Sequence, residues 1–144
     1  MKYYYYFFWL IVSQVVFSQD NPENTIVTFF EAFHKKDTIA MKKVCHQSLI
    51  LQTVANKTDS TRLKQEPASE FFKSFARIPK DMIFFEKILS YKVQIDANLA
   101  HVWTPYEVYI NNKFVHKGVN SFTLIKEPDG NWKIIHLIDT RRKD

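Results

Sequence analysis

The sequence predicts an α+β domain in which helices of the first half pack on a curved antiparallel β-meander formed by the second. Three observations carry this prediction. Apolar residues recur at helical spacing after Pro22 and again after Pro67, while from about Phe84 the period changes to two. The stretch 101–141 alternates apolar and polar residues and is broken by two turn signals, Asn111-Asn112 and Asp129-Gly130. At 144 residues the chain has room for one substantial core and not for two.

Asp20-Asn21-Pro22 is a helix start, a capping side chain followed by a proline in the first turn, where its missing N–H costs nothing. Ile26, Phe29, Phe30 and Phe33 then form one apolar stripe, and His34, Lys35 and Lys36 fall in the last turn, where positive charge suits the helix dipole. That position reads His34 as a helix-end residue rather than a ligand. Asp37-Thr38 is a second cap, opening a short helix to about Val44. Residues 49–54 read as a short strand and 56–60 as a polar loop, with 62–65 pairing back. Pro67 opens a third helix with Phe71, Phe72, Phe75 and Ile78 as its buried stripe and Pro79 as its stop.

Tyr91, Val93 and Ile95 alternate with Lys92, Gln94 and Asp96, which is strand behaviour. Turns at Asp96-Ala97-Asn98, Asn111-Asn112 and Asp129-Gly130 then divide the remainder into three further strands. The result is a four-stranded meander behind the helices.

Composition excludes several function classes. The two glycines leave no glycine-rich phosphate loop. The formal charge of +5 is spread along the chain, and its short basic runs are too brief for a nucleic-acid arm, so a solvated basic surface is expected and no nucleic-acid partner. Cys45 is the sole cysteine, so no internal disulfide is possible, and it is read as a small buried hydrophobe. Asn56-Lys57-Thr58 matches a glycosylation sequon, a pattern short enough to arise by chance.

Residues 1–18 read as a cleaved signal peptide. Lys2 supplies the positive start, 3–17 are almost wholly apolar or aromatic, and Val16-Phe17-Ser18 fits a cleavage site. The apolar run is shorter than the roughly 20 residues a spanning helix needs. The expectation is an exported protein, periplasmic or secreted, whose domain is 19–144 and which keeps no stable membrane anchor.

Turn length sets strand register. With two-residue loops at both hairpins, Leu124 faces Ile135, Phe122 faces Leu137, Asn120 faces Asp139 and Gly118 faces Arg141, while Glu107 faces His116, Pro105 faces Gly118 and Trp103 faces Asn120. One face then carries His101, Trp103, Glu107, Tyr109, His116, Asn120, Phe122, Asp139 and Arg141. The other carries Val102, Tyr106, Val108, Val119, Ile134, His136 and Ile138.

Polar groups among aromatics on one face are what a small-molecule pocket requires. Glu107 beside His116 is the candidate acid–base pair, the carboxylate holding the imidazole in one tautomer. Trp103, Tyr109, Asn120, Phe122, Asp139 and Arg141 are the candidate ligand contacts, Arg141 gripping a carboxylate or phosphate. Each also has a structural reading, as a packed strand pair or as an ion pair that pins the last strand. The strand histidines lack helical metal spacing, and neither a metal site nor a cofactor is expected. Gly118 lies inside a strand, where glycine marks a bulge, a bend or a close backbone approach.

The segments TIVTFFEAF at 25–33 with Lys36-Asp37, AHVWTPYE at 100–107, FVHKGVNSF at 114–122, GNWKII at 130–135 and DTRR at 139–142 resemble the nuclear transport factor 2-like superfamily. More narrowly, they resemble its exported bacterial branch of lumazine-binding and polyketide-cyclase-like proteins. The resemblance covers nearly all of 19–144 and implies a cone of helices on a curled sheet. It is weak for function, because that fold hosts isomerases, dehydratases, hydrolases and non-enzymatic modules. Superfamily isomerases use two acidic residues in an apolar pocket, a pair not assignable here residue by residue, since His116 and Arg141 would neutralise Glu107 and Asp139.

The expectation is therefore an exported, homodimeric, non-catalytic domain that binds a partly apolar and anionic or aromatic small molecule. The dimer follows from the apolar second face, unless the helices cover that face instead. The alternatives are a pocket enzyme using His116 and Glu107, and a protein-interaction module.

Overall fold

The computed structural model describes residues 21–57 and 60–143. The expected signal peptide lies outside these residues, as does Thr58 of the sequon. Three helices, α1 (Pro22–His34), α2 (Thr38–Lys43) and α3 (Ala68–Ala76), pack on one face of a seven-stranded sheet. Its strands are β1 (Cys45–Lys57), β2 (Ser60–Glu66), β3 (Phe84–Ile88), β4 (Lys92–Asp96), β5 (Leu99–Ile110), β6 (Lys113–Lys126) and β7 (Trp132–Arg141). The order is β2-β1-β7-β6-β5-β3, with β4 pairing beside β3 on β5.

The local chemistry explains the helices. The Asn21 side chain accepts from the Glu23 N–H at 3.0 Å with Pro22 in the first turn, and Asp37 accepts from Ile39 and Ala40 to start α2. Between them Lys36 sits at φ +57, and its ammonium donates to the carbonyls of Pro79 and Met82. This clasp ties the end of α1 to the segment that enters β3.

The sheet departs from the expected meander in two ways. It is mixed, because β1 pairs parallel to β7 and extends over 13 residues rather than six, so that β1 and β2 form a long hairpin. It also gains β3, which pairs antiparallel with β5 and sets Glu86 opposite Val108.

The core lies between α1 and the sheet. Ile26, Phe29, Phe30 and Phe33 meet Ala100, Val102, Phe122, Leu124 and Ile134, all buried. Phe122 takes the edges of Phe29 and Phe30, and Phe33 stacks on Phe75 with centroids 4.4 Å apart. Even-numbered residues of β5 from Ala100 to Val108 and of β6 from Gly118 to Leu124 turn inward, and the odd-numbered ones from His101 to Glu107 and from Lys117 to Ile125 are less buried.

Candidate functional site

One end of the helix–sheet interface stays open as a cavity of about 520 Å³. Phe29, Phe30, Phe33, Phe71, Leu51 and Leu137 make its apolar wall, and Glu86, Asn120, Asp139 and Arg141 its polar one. Lys64 and Glu66 of the edge strand β2 stand at its rim.

Glu86 is the most unusual of these groups. It is 8 % exposed, between Phe84 and Ile88 on the inward side of β3. Asn120 donates from Nδ2 to Glu86 Oε1 at 2.7 Å. Burial, with the charge of Asp139 adding to it, pushes the Glu86 carboxyl up to about 7, against the opposing effects of the Asn120 hydrogen bond and Arg141. The strand that carries it is fastened to α1, since the Glu86 backbone N–H donates to His34 Nε2 at 3.1 Å. The same His34 Nε2 lies 3.0 Å from the Glu86 carbonyl oxygen, so the ring, packed against Phe85 and with its pKa lowered by burial, holds the Glu86 backbone as acceptor or donor according to its tautomer.

Asp139 is held from three sides. Thr53 donates to Oδ1, Arg141 donates from Nε to Oδ2 at 2.9 Å, and the Tyr106 hydroxyl lies 3.3 Å from Oδ2 while donating to the Thr140 carbonyl at 2.8 Å. Burial raises the Tyr106 pKa, so the phenol stays protonated. Gly118 makes this reach possible. It faces Tyr106, and a Cβ there would collide with the Thr140 carbonyl oxygen and meet the Tyr106 hydroxyl at 2.8 Å. Close approach is therefore the meaning of this glycine.

The structure separates the residues that the sequence placed on one face. The Asn111-Asn112 loop is a two-residue turn with both residues at positive φ, as expected, and closes on Ile110 and Lys113. Val115 is then an extra residue, a bulge, so His116 faces Val108 and not Glu107, Gly118 faces Tyr106 and not Pro105, and Asn120 faces Thr104 and not Trp103. Glu107 pairs with Lys117 and accepts from the Tyr109 hydroxyl at 2.8 Å. The expected Glu107–His116 acid–base pair does not form.

His101, Trp103 and Glu107 lie on the outer face, where Trp103 is 41 % exposed and His101 contacts the Ser121 hydroxyl. Tyr109 packs its ring edge on Phe114, away from the cavity wall. Phe122 is wholly buried beneath α1. His116 meets the Tyr106 ring edge-on at 5.8 Å, its pKa lowered by burial and then by Arg141. Of the expected ligand contacts, Asn120, Asp139 and Arg141 line the cavity.

Glu86 is the site residue that sequence reasoning misses, although the sequence holds a signal for it: a charged residue in phase with Phe84 and Ile88 breaks the binary pattern of a half-buried strand. Cys45 is inert by environment, burial pushing its thiol up to about 12. Among the described residues no group of His, Cys, Asp and Glu is arranged to hold a metal ion.

No protein-family model matches the chain, and no curated protein matches it. Solved structures do. A nuclear transport factor 2-like protein of unknown function from Pseudomonas putida superposes with a TM-score of 0.66 at 10% identity, covering 85% of each chain. A second, from Shewanella baltica, gives 0.60 at 15% identity over 85% of this chain and 91% of its own. A provisionally named dehydratase of the same type from Streptomyces avermitilis gives 0.63 at 14% identity over 86% and 95%. These likenesses establish the fold as the nuclear transport factor 2-like cone.

Proposed function

We propose that the chain is an exported small-molecule-binding domain whose cavity takes a partly apolar ligand and meets a hydrogen-bonding group of that ligand at Glu86 and Asn120. The observation that carries this is a buried carboxyl fixed by one hydrogen bond in the wall of a phenylalanine-lined cavity of about 520 Å³. Native mass spectrometry of protein purified from its own cells tests it. A retained small molecule, lost on Glu86→Ala substitution, is the expected result. An empty protein that binds nothing from a metabolite extract overturns it.

A second reading is a pocket enzyme, and one observation favours it: with a pKa of about 7, Glu86 holds both protonation states near neutral pH, as a general acid–base must. On this reading Glu86 takes the part expected of His116 and Glu107, and the Asp139 carboxylate supplies the fixed charge beside it. The export reading rests on residues 1–18. The homodimer reading loses the basis expected for it, because the face that carries Val102 and Ile134 is covered by α1, and it rests instead on the opposite face of the sheet, which leaves Trp103 and Ile50 partly in water.

A further inference from the structure

We infer that the ligand carries a single carboxylate, seated at the cavity rim between Arg141 and Arg62 and above Ala55, with its apolar body directed inward along the phenylalanines. This rests on the binding reading above and names the class of molecule bound.

The strand registers place the cations. Ala55 pairs with Arg62 of β2 on one side and with Arg141 of β7 on the other, so the three residues form one rung. Neighbouring strands lie about 4.8 Å apart, which sets two guanidinium stems on either side of a methyl group. The next rung inward is Lys64, Thr53 and Asp139, and the one beyond is Glu66, Leu51 and Leu137. Ala55, Thr53, Leu51, Lys64, Asp139 and Arg141 all line the cavity, and Arg62, two residues from Lys64, shares its face. The smallest side chain of the three rungs thus lies between the two arginines and leaves a gap over which an anion fits.

Donor capacity is available there. Arg141 commits Nε to Asp139, and its Nη edge makes no hydrogen bond among the described residues. Arg62 is exposed and enters no ion pair among them. A planar carboxylate suits such guanidinium edges. Charge favours a monoanion over a dianion such as a phosphate monoester, because Asp139 and Glu66 at the cavity offset two of the three cations Arg141, Arg62 and Lys64 and would oppose a second negative charge. Inward of the rim the wall is Leu51, Leu137, Phe71, Phe30 and Phe33, which accepts a flat or acyl body and brings its far end to Glu86 and Asn120.

The test is a titration of isotope-labelled protein with 2-naphthoate and with its neutral isostere 2-naphthamide, read by amide chemical shifts. Both should move amides of β1, β3 and β7 around the cavity, the acid binding about tenfold more tightly. Arg62→Gln, a change at an exposed edge-strand position, should remove much of that preference and leave binding of 2-naphthamide unaffected, and Arg141→Gln, which also releases Asp139, should remove the preference as well. If 2-naphthamide binds the cavity as well as the acid, or the acid preference survives both substitutions, the carboxylate assignment is overturned and the binding reading stands. If neither compound moves cavity amides, both fall.

Discussion

The two hairpins that share β6 each contain one bulge, and the bulges act in opposite ways. In the β6–β7 hairpin the loop has three residues, Pro128, Asp129 and Gly130, with Gly130 at φ +88, and Glu127 and Asn131 close it. Ile135 is the extra residue of β7, so Leu124 faces Ile134 rather than the expected Ile135. Beyond it the register returns to the value that a two-residue loop would give, with Phe122 opposite Leu137 and Asn120 opposite Asp139. In the β5–β6 hairpin the loop is the regular two-residue turn, and Val115 shifts everything beyond it by one. The first hairpin has two departures that cancel. The second has one that does not, and because the side-chain period is two, that single residue moves Tyr106 and Val108 inward and Trp103 and Glu107 outward. A site built across strands is therefore specified by bulges as much as by turns.

The largest test of this contrast is Gly118→Ala. The new Cβ meets backbone at Thr140, which cannot rotate away, and displaces the Tyr106 hydroxyl that the shifted register delivers. The expected loss is about 4 kcal/mol, or failure to fold, read by chemical denaturation.

Next is Glu86→Gln, which acts where the shifted hairpin brings Asn120 to the strand carrying Glu86. The folded-state pKa of about 7 lies above the ordinary value of about 4.3 for an unfolded glutamate, so between these pH values the native state keeps a proton that the unfolded chain has released. Stability conferred by the native protein's proton is present below pH ~4.3 and is lost as pH rises to about 7. Glutamine stays neutral and still offers an acceptor to Asn120. The variant should therefore gain on the wild type across that window, by about 3 kcal/mol at its upper end, in denaturation curves taken from pH 4 to pH 8. Equal pH dependence in both proteins contradicts the burial of an ionisable Glu86.

The smallest is Gly130→Ala in the cancelling hairpin. Nothing lies within 4 Å of the place a Cβ would take, so the cost is the left-handed backbone alone, about 1 kcal/mol in melting experiments.

The helices are legible because their signals are local. Asn21-Pro22, Asp37-Thr38 and Pro67 cap or open turns whose donors lie within three residues, and the phenylalanine stripes repeat within single helices. The strand alternation of 101–141 and both hairpin positions are legible for the same reason, as is the Asn120–Asp139 pairing. Three cavity residues, Asn120, Asp139 and Arg141, can be picked out as polar groups in phase on neighbouring strands. The bulges at Val115 and Ile135 carry no turn chemistry, and valine and isoleucine are ordinary strand residues, so nothing in either local sequence marks an extra residue.

What the sequence determined by itself is the set of elements and the direction in which each must bury its apolar side, since propensity, capping and periodicity act over a few residues. Tertiary structure alone decided which elements distant in the chain became neighbours. The parallel pairing of β1 with β7 brings Thr53 and Ala55 to Asp139 and Arg141, and the docking of β3 on β5 and His34 puts Glu86 against Asn120. The side-chain contacts Glu86–Asn120 and Thr53–Asp139 join residues 34 and 86 positions apart, and packing against the phenylalanines of α1 selects the register that buries the right face.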